Sequence, residues 1–240
     1  MTHRALALVL LAVIPFAAHA ADPLEPESIA RMHFVSDAQI SPDGRRVVYV
    51  VTRVNADRDA YDADLWLIDG DRPPRPLVES PGDDARPRWS SDGSQLAFLS
   101  ARNGGKRQIH VLSMDGGEAW PLTSEKGGVG TYTWSPDGRR IAYLARGADP
   151  EETPGLAGRA RVTERLFFRS DGSAGFMPEV QPRLYVIDVR PRATAEGPLT
   201  DGKKLLEPSA PAWDADGRSL IFSYMEIGKR RVGKECRSRW

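Results

Sequence analysis

Few side chains among these 240 residues have the types and spacing that chemistry requires. Of the four histidines, His3 and His19 fall in the first twenty residues, leaving His33 and His110 in the body of the chain. That only two imidazoles remain argues against a catalytic triad or a histidine metal centre built from this chain alone, and His110 lies inside an alternating strand pattern. Asp171-Gly172-Ser173-Ala174-Gly175 lacks the first glycine of the G-x-S-x-G elbow that exposes a nucleophilic serine. Asp62-Ala63-Asp64 and Asp214-Ala215-Asp216-Gly217 resemble the opening of an oxygen-rich calcium loop. Neither continues to the regular ligands and terminal glutamate of such a loop, so turn aspartates account for both. Glu151-Glu152 could hold a peptide's free ammonium by charge-assisted hydrogen bonds, although an acidic pair on a polar stretch is ordinarily solvated. The expectation is a chain with no catalytic residue, no cofactor site and no metal site, and with no residue marked for substrate binding.

The ends differ from the body between them. Arg4 precedes an apolar stretch from Ala5 to Ala18, and Ala18-His19-Ala20 is an A-x-A cleavage site, so residues 1–20 read as a secretory signal peptide. That stretch, interrupted by Pro15, is shorter than the ~20 residues a membrane-spanning helix needs, and nothing later is apolar enough to cross. An exported protein, periplasmic or secreted and without a membrane span after cleavage, is expected. Residues 229–240, from Lys229 to Trp240, have neither the period nor the composition of what precedes them. They resemble a translated sequencing adapter and are set aside as a non-native tail. Without that basic tail the body is mildly acidic, with its arginines scattered among aspartates, which argues against a nucleic-acid partner. The single cysteine, Cys236, lies in the same tail, so the body must be held by its hydrophobic core rather than by disulfides.

The elements that could position any site follow from a repeat. Ile40-Ser41-Pro42-Asp43-Gly44, Trp89-Ser90-Ser91-Asp92-Gly93, Trp134-Ser135-Pro136-Asp137-Gly138 and Trp213-Asp214-Ala215-Asp216-Gly217 place their glycines 49, 45 and 79 residues apart. Three places after each glycine stands an apolar residue (Val47, Leu96, Ile141, Leu220), and five places after it an aromatic one (Tyr49, Phe98, Tyr143, Phe222). A period of two means a strand, so each pentad reads as a hairpin turning at Asp-Gly. Leu65–Asp69, Ile109–Ser113 and Leu184–Asp188 read as third strands; Pro76–Val78, Trp120–Thr123 and Pro198–Thr200 read as short fourth strands. Four antiparallel strands at a period of roughly 45 residues describe a propeller blade. The fold expected is all-β, a partial β-propeller of about three and a half blades over residues 21–228, with an insertion near 147–182. Trp89, Trp134 and Trp213 recur at one position and are expected to pack between blades.

With that register, the pentads resemble the PD40 repeats shared by TolB-type propellers and by the propeller domains of the prolyl oligopeptidase (S9) family. Two longer stretches, Ser36–Gly44 continued through Asp64–Ile68, and Val162–Gly172, are similar to the acylaminoacyl-peptidase-like branch of that family. The resemblance implies that the propeller precedes an α/β-hydrolase domain, gates the cavity between the two and restricts substrates to short peptides. The serine, aspartate and histidine of the triad then lie in the hydrolase domain, outside this chain. A TolB-like interaction propeller with no catalytic activity is the alternative. Oligomeric state is left open.

Overall fold

The computed structural model describes residues 31–55, 60–102, 105–147, 182–200, 205–206, 211–226, 229–232 and 236–237, with Ser28 beside them. The expected signal peptide, Glu151-Glu152, Ser173 and most of the expected insertion lie outside the described residues.

Strands β1 (His33–Ile40), β2 (Arg46–Val54), β3 (Tyr61–Asp69) and β4 (Arg75–Val78) form one antiparallel sheet in chain order, blade 1. Blade 2 repeats it with β5 (Asp84–Trp89), β6 (Gln95–Ser100), β7 (Gln108–Ser113) and β8 (Trp120–Pro121). Blade 3 contains β9 (Val129–Trp134), β10 (Arg140–Ala145) and β11 (Arg183–Asp188). Its expected fourth strand is reduced to single bonds: Leu199 N–H donates to the Leu184 carbonyl at 2.7 Å, and the Thr200 hydroxyl takes the Leu184 N–H at 3.1 Å. Leu122 and Thr123 hold Ile109 in blade 2 in the same way, just beyond β8. After β12 (Leu205–Leu206), β13 (Ala212–Trp213) and β14 (Ser219–Ile221) make the first hairpin of a fourth unit. Strand β15 (Ser223–Glu226) pairs with β12 and with β16 (Lys229–Val232), and β17 (Cys236–Arg237) pairs with β14. The segment set aside as a tail thus supplies two of these short strands.

All four pentads form the same turn. Gly44, Gly93, Gly138 and Gly217 adopt φ of 73°, 71°, 69° and 67°, a region that side-chain-bearing residues rarely enter. The aspartate before each glycine keeps an ordinary backbone and serves as an acceptor. Asp43 Oδ1 receives the Arg45 N–H at 3.1 Å and the Ser41 hydroxyl at 2.5 Å, and Ser41 Oγ in turn receives the Arg46 N–H at 2.9 Å. Ser90 with Asp92 and Ser135 with Asp137 repeat this network. In the fourth turn Asp214 replaces the serine: Asp216 keeps its acceptor contact to the Arg218 N–H, and Asp214 Oδ1 takes the Ala215 N–H at 2.6 Å instead of bonding the aspartate. Each hydroxyl thereby satisfies an N–H that its turn would otherwise leave without a partner.

The first strands β1, β5, β9 and β13 are successive neighbours, as the inner strands of a ring are. Leu96, Phe98 and Leu112 of blade 2 pack against Val48, Val50, Leu65 and Leu67 of blade 1. The other face of blade 2, with Ala97, Leu99, Ile109 and Val111, packs against Tyr132, Ile141, Tyr143 and Ile187 of blade 3. Ala142, Leu144, Leu184 and Val186 continue onto Leu220 of the fourth unit. Leu96, Phe98, Ile141 and Tyr143 are fully buried, as their place in the repeat predicts. Val47 and Tyr49 are only half-buried because they point to the face of blade 1 that no other sheet covers among the described residues, where Ile40 and Val35 stand exposed.

Candidate functional site

The conspicuous residues of the sequence fall mostly into structural roles. His33 opens β1 and is exposed. His110 is 2% exposed in β7 and stacks on Phe98 with centroids 5.8 Å apart. Burial, with the Arg102 charge acting the same way, holds its imidazole below the ordinary range, so it is a neutral core residue. Asp62 and Asp64 on β3 both meet Arg53 Nη2, at 3.3 and 2.8 Å. Asp214 and Asp216 belong to the fourth turn. No group of three or more histidine, cysteine, aspartate or glutamate side chains among the described residues could hold a metal ion. No helix among them is long and apolar enough to cross a membrane.

The recurring tryptophans are half-buried, and their polar edges carry the information. Trp89 Nε1–H donates to the Gln39 carbonyl at 3.1 Å, Trp134 to the Arg88 carbonyl at 3.0 Å, and Trp213 to the Thr133 carbonyl at 3.4 Å. Each indole therefore ties its own blade to the inner strand of the blade before it. Arg46 lies 5.0 Å over the Trp89 ring and donates to the Gly93 carbonyl at 3.0 Å; Arg140 repeats this with Trp213 and Gly217. At the intervening interface Gln95 stands where an arginine would. The aromatic positions were legible in the repeat; these arginine clamps left only a scattered basic signal.

On the rim opposite the Asp-Gly turns, a cleft of about 360 Å³ opens between blades 1 and 2. Ser36, Asp37, Thr52 and Tyr61 line it from blade 1, Asp83, Arg86 and Arg107 from blade 2, and Val50, Ala63 and Ala85 supply apolar surface. Both inner strands carry a bulge here, and Asp37 and Arg86 adopt φ of 48° and 53°. A left-handed backbone at a bulge redirects a side chain away from the regular pleat. Asp37 is held by Arg88, whose Nη1 reaches its two oxygens at 2.8 and 3.0 Å, and Asp83 receives Arg107 at 3.0 Å. Arg86 donates to the Thr131 hydroxyl at 3.2 Å. At the start of β5, Asp84 is fully buried. Burial pushes its carboxyl above the usual range despite the hydroxyls of Ser100 and Ser80 and the Arg102 guanidinium 3.5 Å away. Ser36 and Asp37 stood in the sequence only as part of a resemblance and Arg86 was not marked at all, because a positive φ at Asp37 or Arg86 has no residue signature comparable to glycine.

The fold and these inter-blade contacts define a β-propeller segment with its inner strands, turns and rims in place. A family model for the TolB beta propeller domain, PD40, matches residues 25–159, and the chain belongs to that family. Its relatives include peptidases. The uncharacterized peptidase YuxL of Bacillus subtilis is 34% identical over 206 residues, spanning 82% of this chain and 30% of that protein. Dipeptidyl-peptidase 5 of Porphyromonas endodontalis is 27% identical over 77% of this chain and 26% of its own length. The acylaminoacyl peptidase of Pyrococcus horikoshii superposes with a TM-score of 0.54 at 20% identity, over 82% of this chain and 28% of that one, a likeness of fold. The chain thus spans under a third of the length of these curated relatives.

Proposed function

We propose that the chain is the propeller portion of an exported serine peptidase that hydrolyses short peptides, with its serine, histidine and aspartate in an α/β-hydrolase domain beyond these residues. The observation that carries this reading is the match to peptidases over most of this chain but under a third of their length. In such an arrangement the propeller does no bond chemistry. It would limit which peptides reach a serine that a histidine base activates and an aspartate orients. Export rests on the signal-like residues 1–20. Sequencing the locus past codon 228 should reveal further blades followed by a G-x-S-x-G, and the encoded protein should cleave chromogenic di- and tripeptide substrates until a serine-directed inhibitor is added. A stop codon at the end of the propeller would instead support a TolB-like interaction module without chemistry, the alternative that the family model shares with the peptidase reading.

A further inference from the structure

We propose that the rim cleft between blades 1 and 2 is a binding site for the terminal carboxylate of a short peptide, received by Arg86. The charge inventory points to Arg86. Asp37 is paired with Arg88 and Asp83 with Arg107, whereas Arg86 has a neutral partner, the Thr131 hydroxyl, and no carboxylate among the described residues. The bulge fixes the backbone from which that guanidinium projects, since Arg86 is held at φ 53° and the Tyr132 hydroxyl donates to its carbonyl at 2.5 Å. Ser36, Thr52 and Tyr61 bring three hydroxyls with no hydrogen-bond partner among the described residues, available to a peptide's amides and carbonyls. Val50, Ala63 and Ala85 provide an apolar floor for small side chains.

The same inventory selects the ligand. A planar guanidinium matches a carboxylate in a two-pronged arrangement. The flanking Asp37 and Asp83 carboxylates, though paired, disfavour a doubly charged anion such as phosphate. A volume of about 360 Å³ lies at the low end of the ~300–1,000 Å³ range of small-molecule sites, room for a di- or tripeptide and not for a folded chain. That the ligand is a peptide rests on the function proposed above; that it bears a carboxylate rests on the cleft alone.

The test is calorimetric titration of the full chain with acetyl-dialanine as the free acid, with its C-terminal amide and with inorganic phosphate. The free acid should bind about tenfold or more tightly than the amide, the difference one charge-assisted pair commonly makes. Arg86→Gly should abolish that preference. Glycine enters the left-handed region freely, so this variant removes the guanidinium without adding backbone strain, and with that relief set against the lost hydrogen bond to Thr131 its thermal midpoint should stay within a few degrees of the parent's. Arg86→Lys should retain part of the preference. Equal binding of acid and amide, an undiminished preference in Arg86→Gly, or tighter binding of phosphate than of the free acid would each overturn the site. None of these results bears on hydrolysis by a downstream domain, and loss of the peptidase reading would leave the carboxylate preference standing.

Discussion

The interface between blades 1 and 2 and the interface between blades 2 and 3 come from one repeat and share one indole bond, yet they are held differently. The first is part apolar and part ionic. Arg46 clamps Trp89 and Gly93, Arg88 holds Asp37, and a cleft remains at the far rim. The second is closed by aromatic bulk: Tyr132, Tyr143 and Trp120 fill it, and Tyr143 donates its hydroxyl to Glu125 at 2.8 Å. Even the turns approach differently. A Cβ on Gly138 would sit 2.9 Å from Ser91 Oγ, whereas one on Gly93 would sit 3.2 Å from Pro42 Cδ. The backbone repeat therefore sets spacing, while the side chains between blades decide whether an interface closes or leaves room for a ligand.

The sharpest way to break that comparison is to truncate the aromatic residue five places after each turn glycine. Phe98→Ala removes a fully buried ring from the first interface and should cost about 3–5 kcal/mol. Tyr143→Ala should cost a similar amount at the second, since its ring is 1% exposed. Tyr49→Ala, on the uncovered face of blade 1, should cost about 1 kcal/mol. Urea denaturation of the three variants would decide. Equal losses at all three positions would show that Tyr49 meets a covering partner in solution.

The next effect tests the turns that the two interfaces share. Ser90→Ala removes the buried hydroxyl that donates to Asp92 and accepts the Gln95 N–H, leaving that donor unmatched, at about 1–2 kcal/mol. The fourth turn, with Asp214 in that place, already lacks the serine network, so Asp214→Ala should cost less than half as much. A matched pair of thermal melts reads the difference.

How much of this was visible in the residues alone depends on what each feature needs. The turns were legible because a positive φ calls for glycine and the acceptor before it is an aspartate, and the buried faces of blades 2 and 3 followed from period two. The incomplete burial of Val47 and Tyr49 was not legible, since burial on a sheet depends on a neighbouring sheet that the alternation does not describe. The shortened fourth strand of blade 3 was missed because Pro198-Leu199-Thr200 has the same composition as a paired strand and differs only in bonding. The rim cleft was hidden altogether: it depends on bulges at Asp37 and Arg86, and bulges arise from pairing between strands rather than from local sequence.

A smaller effect separates the interfaces by charge. Arg46→Ala deletes a cation–π contact and a hydrogen bond to the Gly93 carbonyl, together about 0.5–2 kcal/mol. Gln95→Ala, at the equivalent place in blade 2, should fall within about 0.5 kcal/mol of the parent. Comparable losses at both sites would mean that Gln95 carries a clamp of its own.

The smallest effect appears only as a change with pH, and blade 2 contains both signs of it. Asp92, at the turn rim, is held below the usual carboxylate range chiefly by the Ser90 hydroxyl and then by the Ser94 N–H. A depressed folded-state value contributes stability above the unfolded value of about 3.8 and loses it as pH falls through the folded value. Asp84, buried at the opposite end of blade 2, is raised by burial, so its sign is opposite: protonation relieves a cost, and stability is gained as pH falls from above its folded value toward 3.8. Thermal midpoints of the parent, Asp92→Asn and Asp84→Asn between pH 7 and pH 3 would separate the two. The parent's advantage over Asp92→Asn should shrink on acidification, while its standing relative to Asp84→Asn should improve. Parallel curves for the two variants would mean that the ends of blade 2 do not differ electrostatically, and the contrast between a hydrogen-bonded turn rim and a desolvated opposite end would be lost.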